Sequence, residues 1–491
     1  MHLDSLRQDV ESFLRAVEEE EYLQRAGLRL ESRLAGLYER YERLWQPTQI
    51  GELRTEVSGG GGGSGPRLLL EFLTHAALEA GLKDVTDRFL SEEAGTSISV
   101  EERAIPLRGA EAVIRNEPDR SRRSRLEEER ARAIDRLNPL LRERRSRIKE
   151  GVARFGATSY ATLWEELSGI QLAELEKQAD DLLVRTEEMY ADVLKWALKR
   201  ALGVPLAEAK RHDLARLFRG VEFDRLLPAV TIADTIQAAA QKMRIDPTAD
   251  GRIQIDSDAR PTKTPRAFVA PIEVPQRVML VISPVGGWGD LQAYLHELGH
   301  ALHLANTDPA LPVEFRRLGD ASLTEAYAFL LEGLLLEPGF VRRSLGVSRV
   351  PDLLRFIALH KLYLVRRYAA KLLYERRSFD GGPTPRMAEI YRDLLYRATM
   401  AVFPEELYLY DVDPAFYVAR YVRAWIFEAH LKECVYERFD DQWYRNDRTG
   451  PFLLELWRQG FSHAPEHLGA RLGIGPLKVE PLIRSIARHL N

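Results

Sequence analysis

The chain has 491 residues, with 70 Lys and Arg against 74 Asp and Glu and a formal net charge of −4. That balance gives no electrostatic footprint for nucleic acid or an anionic membrane surface, and no run approaches the roughly 18 uncharged apolar residues of a membrane span. The single cysteine, Cys434, excludes an internal disulfide and suits a reducing compartment. With a charged, amphipathic rather than signal-like start, the expectation is a cytoplasmic enzyme.

In chain order, the pattern reads as overwhelmingly helical. Residues 3–46 carry helical periodicity with many Glu/Arg pairs, closed by Trp45 and Pro47. Residues 58–66, Ser-Gly-Gly-Gly-Gly-Gly-Ser-Gly-Pro, form a low-complexity flexible linker without chemistry. Residues 67–104 read as further helices broken near Gly95. The run 120–149 is dense in Arg and Glu; the interleaved acids make it a solvated helical face rather than a nucleic-acid patch. Helices continue over 163–242, with breaks at Gly203–Pro205 and Gly220, and 246–251 marks a transition. The chain therefore divides into a helical region, 1–245, and a catalytic region, 246–491. In the latter, 267–272 and 277–282 are β-rich runs separated by 273–276, a hairpin or meander. Ser283-Pro-Val-Gly286-Gly287-Trp-Gly289 breaks the second run before helices resume from 290, with loops at Pro338, 381–385 and 473–476.

The helix after that break contains His296-Glu297-Leu-Gly-His300, an H-E-x-x-H motif. Residues i and i+4 share a helix face, so both imidazoles can reach one zinc ion, and Glu297 projects beside it as a general base for a bound water. Apolar flanks (Leu295, Leu298, Ala301, Leu302) suit a buried helix, and Gly299 costs about 1 kcal/mol there, a cost that implies a packing or functional reason. A catalytic zinc wants a third protein ligand and an open position. The apolar helical stretch 322–336 holds Glu325 and Glu332, two turns apart. A carboxylate there is expensive to bury unless paired or metal-bound. Glu325 is assigned as the third ligand. Glu332 is either an acceptor that orients a ligand or a solvated charge near the helix end. His303 lies off the zinc face and is structural.

The spacing from His300 to Glu325, the stretch 325–332, the segment Asp256…Arg260…Lys263…Ala267-Phe268, Asp290 and the stretch 416–427 around Tyr421 together resemble the gluzincin metallopeptidases of the thimet oligopeptidase and oligoendopeptidase F family. The resemblance is dense over about 250–430 and weak before. It implies a mainly α, two-lobed, neurolysin-like gluzincin fold with a deep channel and a small β element beside the zinc helix. It further implies one Zn2+ per chain on His296, His300 and Glu325, short peptides as substrates, and Tyr421 as a hydrogen-bond donor to the oxyanion. The strand beside the zinc helix would pair with an extended peptide, with Gly286 and Gly287 allowing close backbone approach or simply forming a turn. The chain departs from the family in lacking a histidine some ten residues before Tyr421, where Tyr408, Tyr410 and Asp411 stand, and in having valine at 418; Tyr417 is the substitute for the missing second tyrosine. Asp258-Ala-Arg260-Pro-Thr262 also echoes a carboxypeptidase Taq motif, although that group's other signatures are absent. A metallocarboxypeptidase is thus the alternative to an oligopeptidase, and an inactive peptide-binding scaffold the third.

Overall fold

The computed structural model describes residues 3–59, 63–101, 103–380 and 386–490. It is mainly α-helical and resolves into two compact units, each drawn from three stretches of chain. The first comprises Met1–Thr74, Val221–Leu354 and Arg423–Ser485, and the second His75–Gly220, Arg355–Val422 and Ile486–Asn491. These spatial units and the two sequence regions are different divisions of the chain. Among the described residues no helix is long and apolar enough to cross a membrane.

Among the described residues, five short strands interrupt the helices. β1 (Ser97–Val100) and β2 (Arg103–Pro106) form an antiparallel pair in the second unit, so the helices expected over 67–104 give way to strand from Ser97. β3 (Ile253–Asp256), β4 (Phe268–Glu273) and β5 (Arg277–Val281) form the sheet of the first unit in the order β3-β5-β4, with β4–β5 antiparallel and β3–β5 parallel. The β4–β5 hairpin matches expectation; the parallel β3 was not foreseen. Alternation along β4 turns Phe268, Ala270 and Ile272 to one face, where they pack with Met279, Val281 and, from the first helix (Leu3–Arg25), Tyr22.

Three further expectations change. Residues 60–62 of the glycine-rich linker lie outside the described residues, as does the loop 381–385, but the linker's flanks are helical. One helix runs Pro47–Ser58 and the next Ser64–Ala80, so Ser64, Gly65 and Pro66 form a first helical turn, where a proline's missing N–H costs nothing. Pro338 likewise opens a helix, Pro338–Arg343, rather than marking a loop. The Arg-rich run is the helix Arg120–Arg154, with a solvated face that carries Arg125, Glu128, Arg132 and Arg136 and an opposite face where Arg123, Glu127, Arg130 and Arg145 are buried among Leu126, Ile134 and Leu137. Arg123 meets Asp213 at 3.1 Å, and Arg211 meets Glu127 at 2.8 Å.

Candidate metal centre

The H-E-x-x-H residues lie on the helix Trp288–Ala305. Its start is shaped by backbone that only glycine adopts easily: Gly286 and Gly287 have φ of 94° and 97°. Asp290, in the first turn, accepts the N–H groups of Val285 and Gly286, and the Gly287 N–H donates to Leu227 O at 2.8 Å. Both glycine N–H groups are therefore spent inside the protein, which gives the pair a turn-forming role. β4 lies at an edge of the sheet, but Arg317 donates to the carbonyls of Pro271 (2.6 Å) and Ile272 (3.1 Å), and Arg316 to that of Val274, so that stretch is occupied.

Glu325 comes from the neighbouring helix Ala321–Glu332, whose N-cap Asp320 accepts the Ser322 N–H at 2.9 Å. Arg423 binds the same carboxylate and donates to Ser322 Oγ at 3.1 Å, tying down the start of that helix. The two helices touch backbone to backbone. A Cβ on Gly299 would lie 2.5 Å from Ala328 Cα and 2.9 Å from Tyr327 O, which explains a glycine in mid-helix.

This packing converges three ligand atoms. His296 Nε2 and His300 Nε2 are 3.3 Å apart, and Glu325 Oε2 lies 3.4 Å from the first and 3.6 Å from the second. Three donors at about 2.0–2.1 Å from a tetrahedral zinc stand about 3.3–3.4 Å apart, so the cluster fits the ion. Each imidazole is oriented from behind. His296 Nδ1 meets Glu332 Oε2 at 3.1 Å, and Glu332 Oε1 accepts from Gln292 Nε2 at 2.7 Å. His300 Nδ1 meets Thr324 Oγ1 at 2.9 Å. With each Nδ1 so engaged, both Nε2 atoms are left to face the centre. Glu332 thus stands in contact with His296 rather than as a freely solvated charge. Gln292 and Thr324 were missed, although each has a legible position: Gln292 is one turn before His296, and Thr324 immediately precedes Glu325.

The electrostatics follow from burial and neighbours. Burial would raise the Glu325 carboxyl, but the facing imidazoles of His300 and His296 hold it well below the usual carboxylate range. Burial would lower the His296 imidazole, but Glu325 and Glu332 push it up to about 10. Glu297, only partly exposed, is raised by burial, with the imidazoles acting in the opposite sense. His303 is structural as expected. It is fully buried between the rings of Tyr327 and Phe461, its Nε2 lies 3.3 Å from Gly460 O, and burial lowers it to about 3, so it stays neutral.

Tyr417 and Tyr421 belong to the second unit. They stand one turn apart at the start of the helix Tyr417–Phe439, with ring centroids 5.2 Å apart, whereas Val418 is wholly buried. Asp411, ten residues before Tyr421, is held by Arg367 at 2.7 Å, Tyr391 OH at 2.8 Å and Lys371 at 3.4 Å. Asp411, which stands in the region where the resemblance expects a histidine, is therefore engaged with its own cations.

No family model and no curated protein matches this sequence. Among solved structures, the chain is similar to one assigned as an oligoendopeptidase F of Bacillus anthracis strain Ames, at TM-score 0.64 and 13% identity over 96% of this chain and 84% of that one. A second structure assigned as an oligoendopeptidase F gives 0.65 and 13% over 96% and 85%. PZ peptidase A with an inhibitor gives 0.62 and 14% over 96% and 85%. At these identities the likeness is one of fold.

Proposed function

We propose that this protein is a zinc-dependent peptidase that hydrolyses peptide bonds in short peptides. The observation that carries the reading is the convergence of His296 Nε2, His300 Nε2 and Glu325 Oε2 at separations of 3.3–3.6 Å, with Glu297 beside them. The shared fold with structures assigned as oligoendopeptidases agrees with it.

His296, His300 and Glu325 would hold the ion, and Glu332 and Thr324 would keep the imidazoles aimed. Bound there, zinc would supply Lewis-acid polarisation of water and of the scissile carbonyl. Glu297 takes the proton of the attacking water and delivers it to the departing amine. Its partial burial holds the carboxyl above the ordinary range, which favours its acting in both directions. The oxyanion role that the resemblance gives Tyr421 is tested by Tyr421→Phe, for which that role predicts a kcat about 100-fold lower.

The deciding experiment measures zinc content and cleavage of an internally quenched peptide library for the wild type and Glu297→Gln. Stoichiometric zinc in both, with cleavage in the wild type alone, supports the reading, and the products separate internal from terminal cleavage. Absence of bound zinc after supplementation sinks it.

A further inference from the structure

The segment 256–264 plays no part in the chemistry above, yet it is heavily bonded. The buried ammonium of Lys263 donates to Asp256 Oδ1 at 3.0 Å, to Asp256 O at 2.9 Å and to Asp258 O at 2.9 Å. Arg260 binds the other oxygen of Asp256, which also accepts from Tyr22 OH at 3.4 Å. The loop so stiffened grips the end of the first helix. Thr264 N–H donates to Arg25 O at 2.8 Å, Arg260 Nε to Ala26 O at 2.6 Å, and Thr262 Oγ1 to Gly27 O at 3.2 Å. Gly27 has φ of +73°, and a Cβ there would lie 2.7 Å from Lys263 N, so the grip requires glycine.

What this clasp holds in place is Arg25. Its guanidinium carbon sits 3.8 Å from the centroid of the Phe268 ring, at the start of β4. Phe268 is buried, whereas Arg25 is exposed. The positive charge of Arg25 acts on Glu297 and, along its own helix, on Glu18 and Glu21. Burial pushes Glu18 up to about 7 and raises Glu21 as well, so Glu18 is not a full counter-charge near neutrality. Among the described residues, no carboxylate comes within ion-pair distance of Arg25. A guanidinium stacked on a ring has spent its face and keeps its N–H edge, the part that matches a carboxylate in a two-pronged hydrogen bond.

We propose that Arg25 is a specificity-determining residue that binds a carboxylate of the substrate, either the peptide's C-terminus or an acidic side chain near the scissile bond, and that the 256–264 clasp positions it for this. The assignment rests on the peptide-hydrolase reading above.

The test compares wild type, Arg25→Met, which keeps an apolar stem over Phe268, and Arg25→Lys. Three quenched peptides share one core sequence: a free C-terminal acid, its amide, and the amide with a glutamate beside the scissile bond. In Arg25→Met, KM for a carboxylate-bearing peptide rises about tenfold more than KM for the plain amide, and Arg25→Lys recovers part of that difference. Loss confined to the free acid identifies the terminal carboxylate, and loss confined to the glutamate peptide identifies the side chain. Equal change on all three peptides, or none, overturns the assignment. If the wild type cleaves none of them, the hydrolase reading fails by itself, and fluorescence-anisotropy binding of the same peptides to zinc-loaded protein decides the role of Arg25. A preference for carboxylate over amide that vanishes in Arg25→Met supports it. An unchanged preference, none, or no binding at all overturns it.

Discussion

Two buried charge clusters, one in each unit, are built on opposite terms. In the second unit Asp411 meets Arg367 and Lys371, and Glu127 and Glu111 meet Arg211. Those cations are permanent, so that cluster is neutralised by the fold. In the first unit Glu325 and Glu332 meet the imidazoles of His296 and His300, whose charge is optional. The first arrangement holds the chain together. The second holds protons that an arriving cation can displace, as binding at a metal site does.

The contrast can be broken in several places. The largest effect is on catalysis without stability. Glu297→Gln lowers kcat by about 10²–10⁴ with the unfolding midpoint unchanged; steady-state kinetics and calorimetry on one preparation check both, and undiminished turnover would remove Glu297 as the base. Next, Asp411→Asn leaves Arg367 and Lys371 without their buried counter-charge and costs about 3–5 kcal/mol of stability whether or not a chelator is present. Glu325→Gln instead abolishes the stabilisation that added zinc gives, so denaturant titrations with and without zinc should sort the two variants oppositely. Smaller still, Glu332→Gln and Thr324→Val each weaken zinc binding about 10–100-fold in competition with a chromophoric chelator. Unaltered affinity in both would mean that the imidazoles are aimed by packing alone.

The smallest effect concerns pH. Glu18, facing Arg317, Glu21 and Arg25, is raised by burial from 4.5 to about 7. The folded state therefore binds its proton more tightly than the unfolded state does, and stability falls as pH rises from about 4.5 to 7. Glu18→Gln removes that fall. It raises the unfolding midpoint at pH 8 by about 2–4 °C and leaves it unchanged at pH 4; an equal shift at both would assign the effect to packing.

How much was readable in advance follows from distance along the chain. His296, Glu297 and His300 sit within one helical turn or so, and Glu325 and Glu332 share one apolar helix, so spacing and the cost of a buried carboxylate located them. Gln292 and Thr324 are near in sequence, but their task depends on how two helices face each other, which spacing does not fix. Arg25 is held over Phe268 by a clasp from the distant segment 256–264, and no local pattern announces that. β1, β2 and β3 are four residues long, too short for their alternation to stand out against helical surroundings. The Arg-rich helix looked solvated because one of its partners, Asp213, comes from a distant stretch. The mainly helical fold was legible because long periodic helices need no such partner to be recognised.

Gly299 has a further consequence. Ala328 Cα lies where a side chain would begin, at 2.5 Å against the 3.5–4.0 Å at which carbon atoms rest. One added methyl group would part the two ligand-bearing helices by about 1 Å, twice the tolerance of about 0.5 Å within which a functional constellation operates. The missing side chain is therefore a gauge block: it sets the width of the metal cluster, and alanine at that position should leave a folded protein whose three ligands no longer close on one ion.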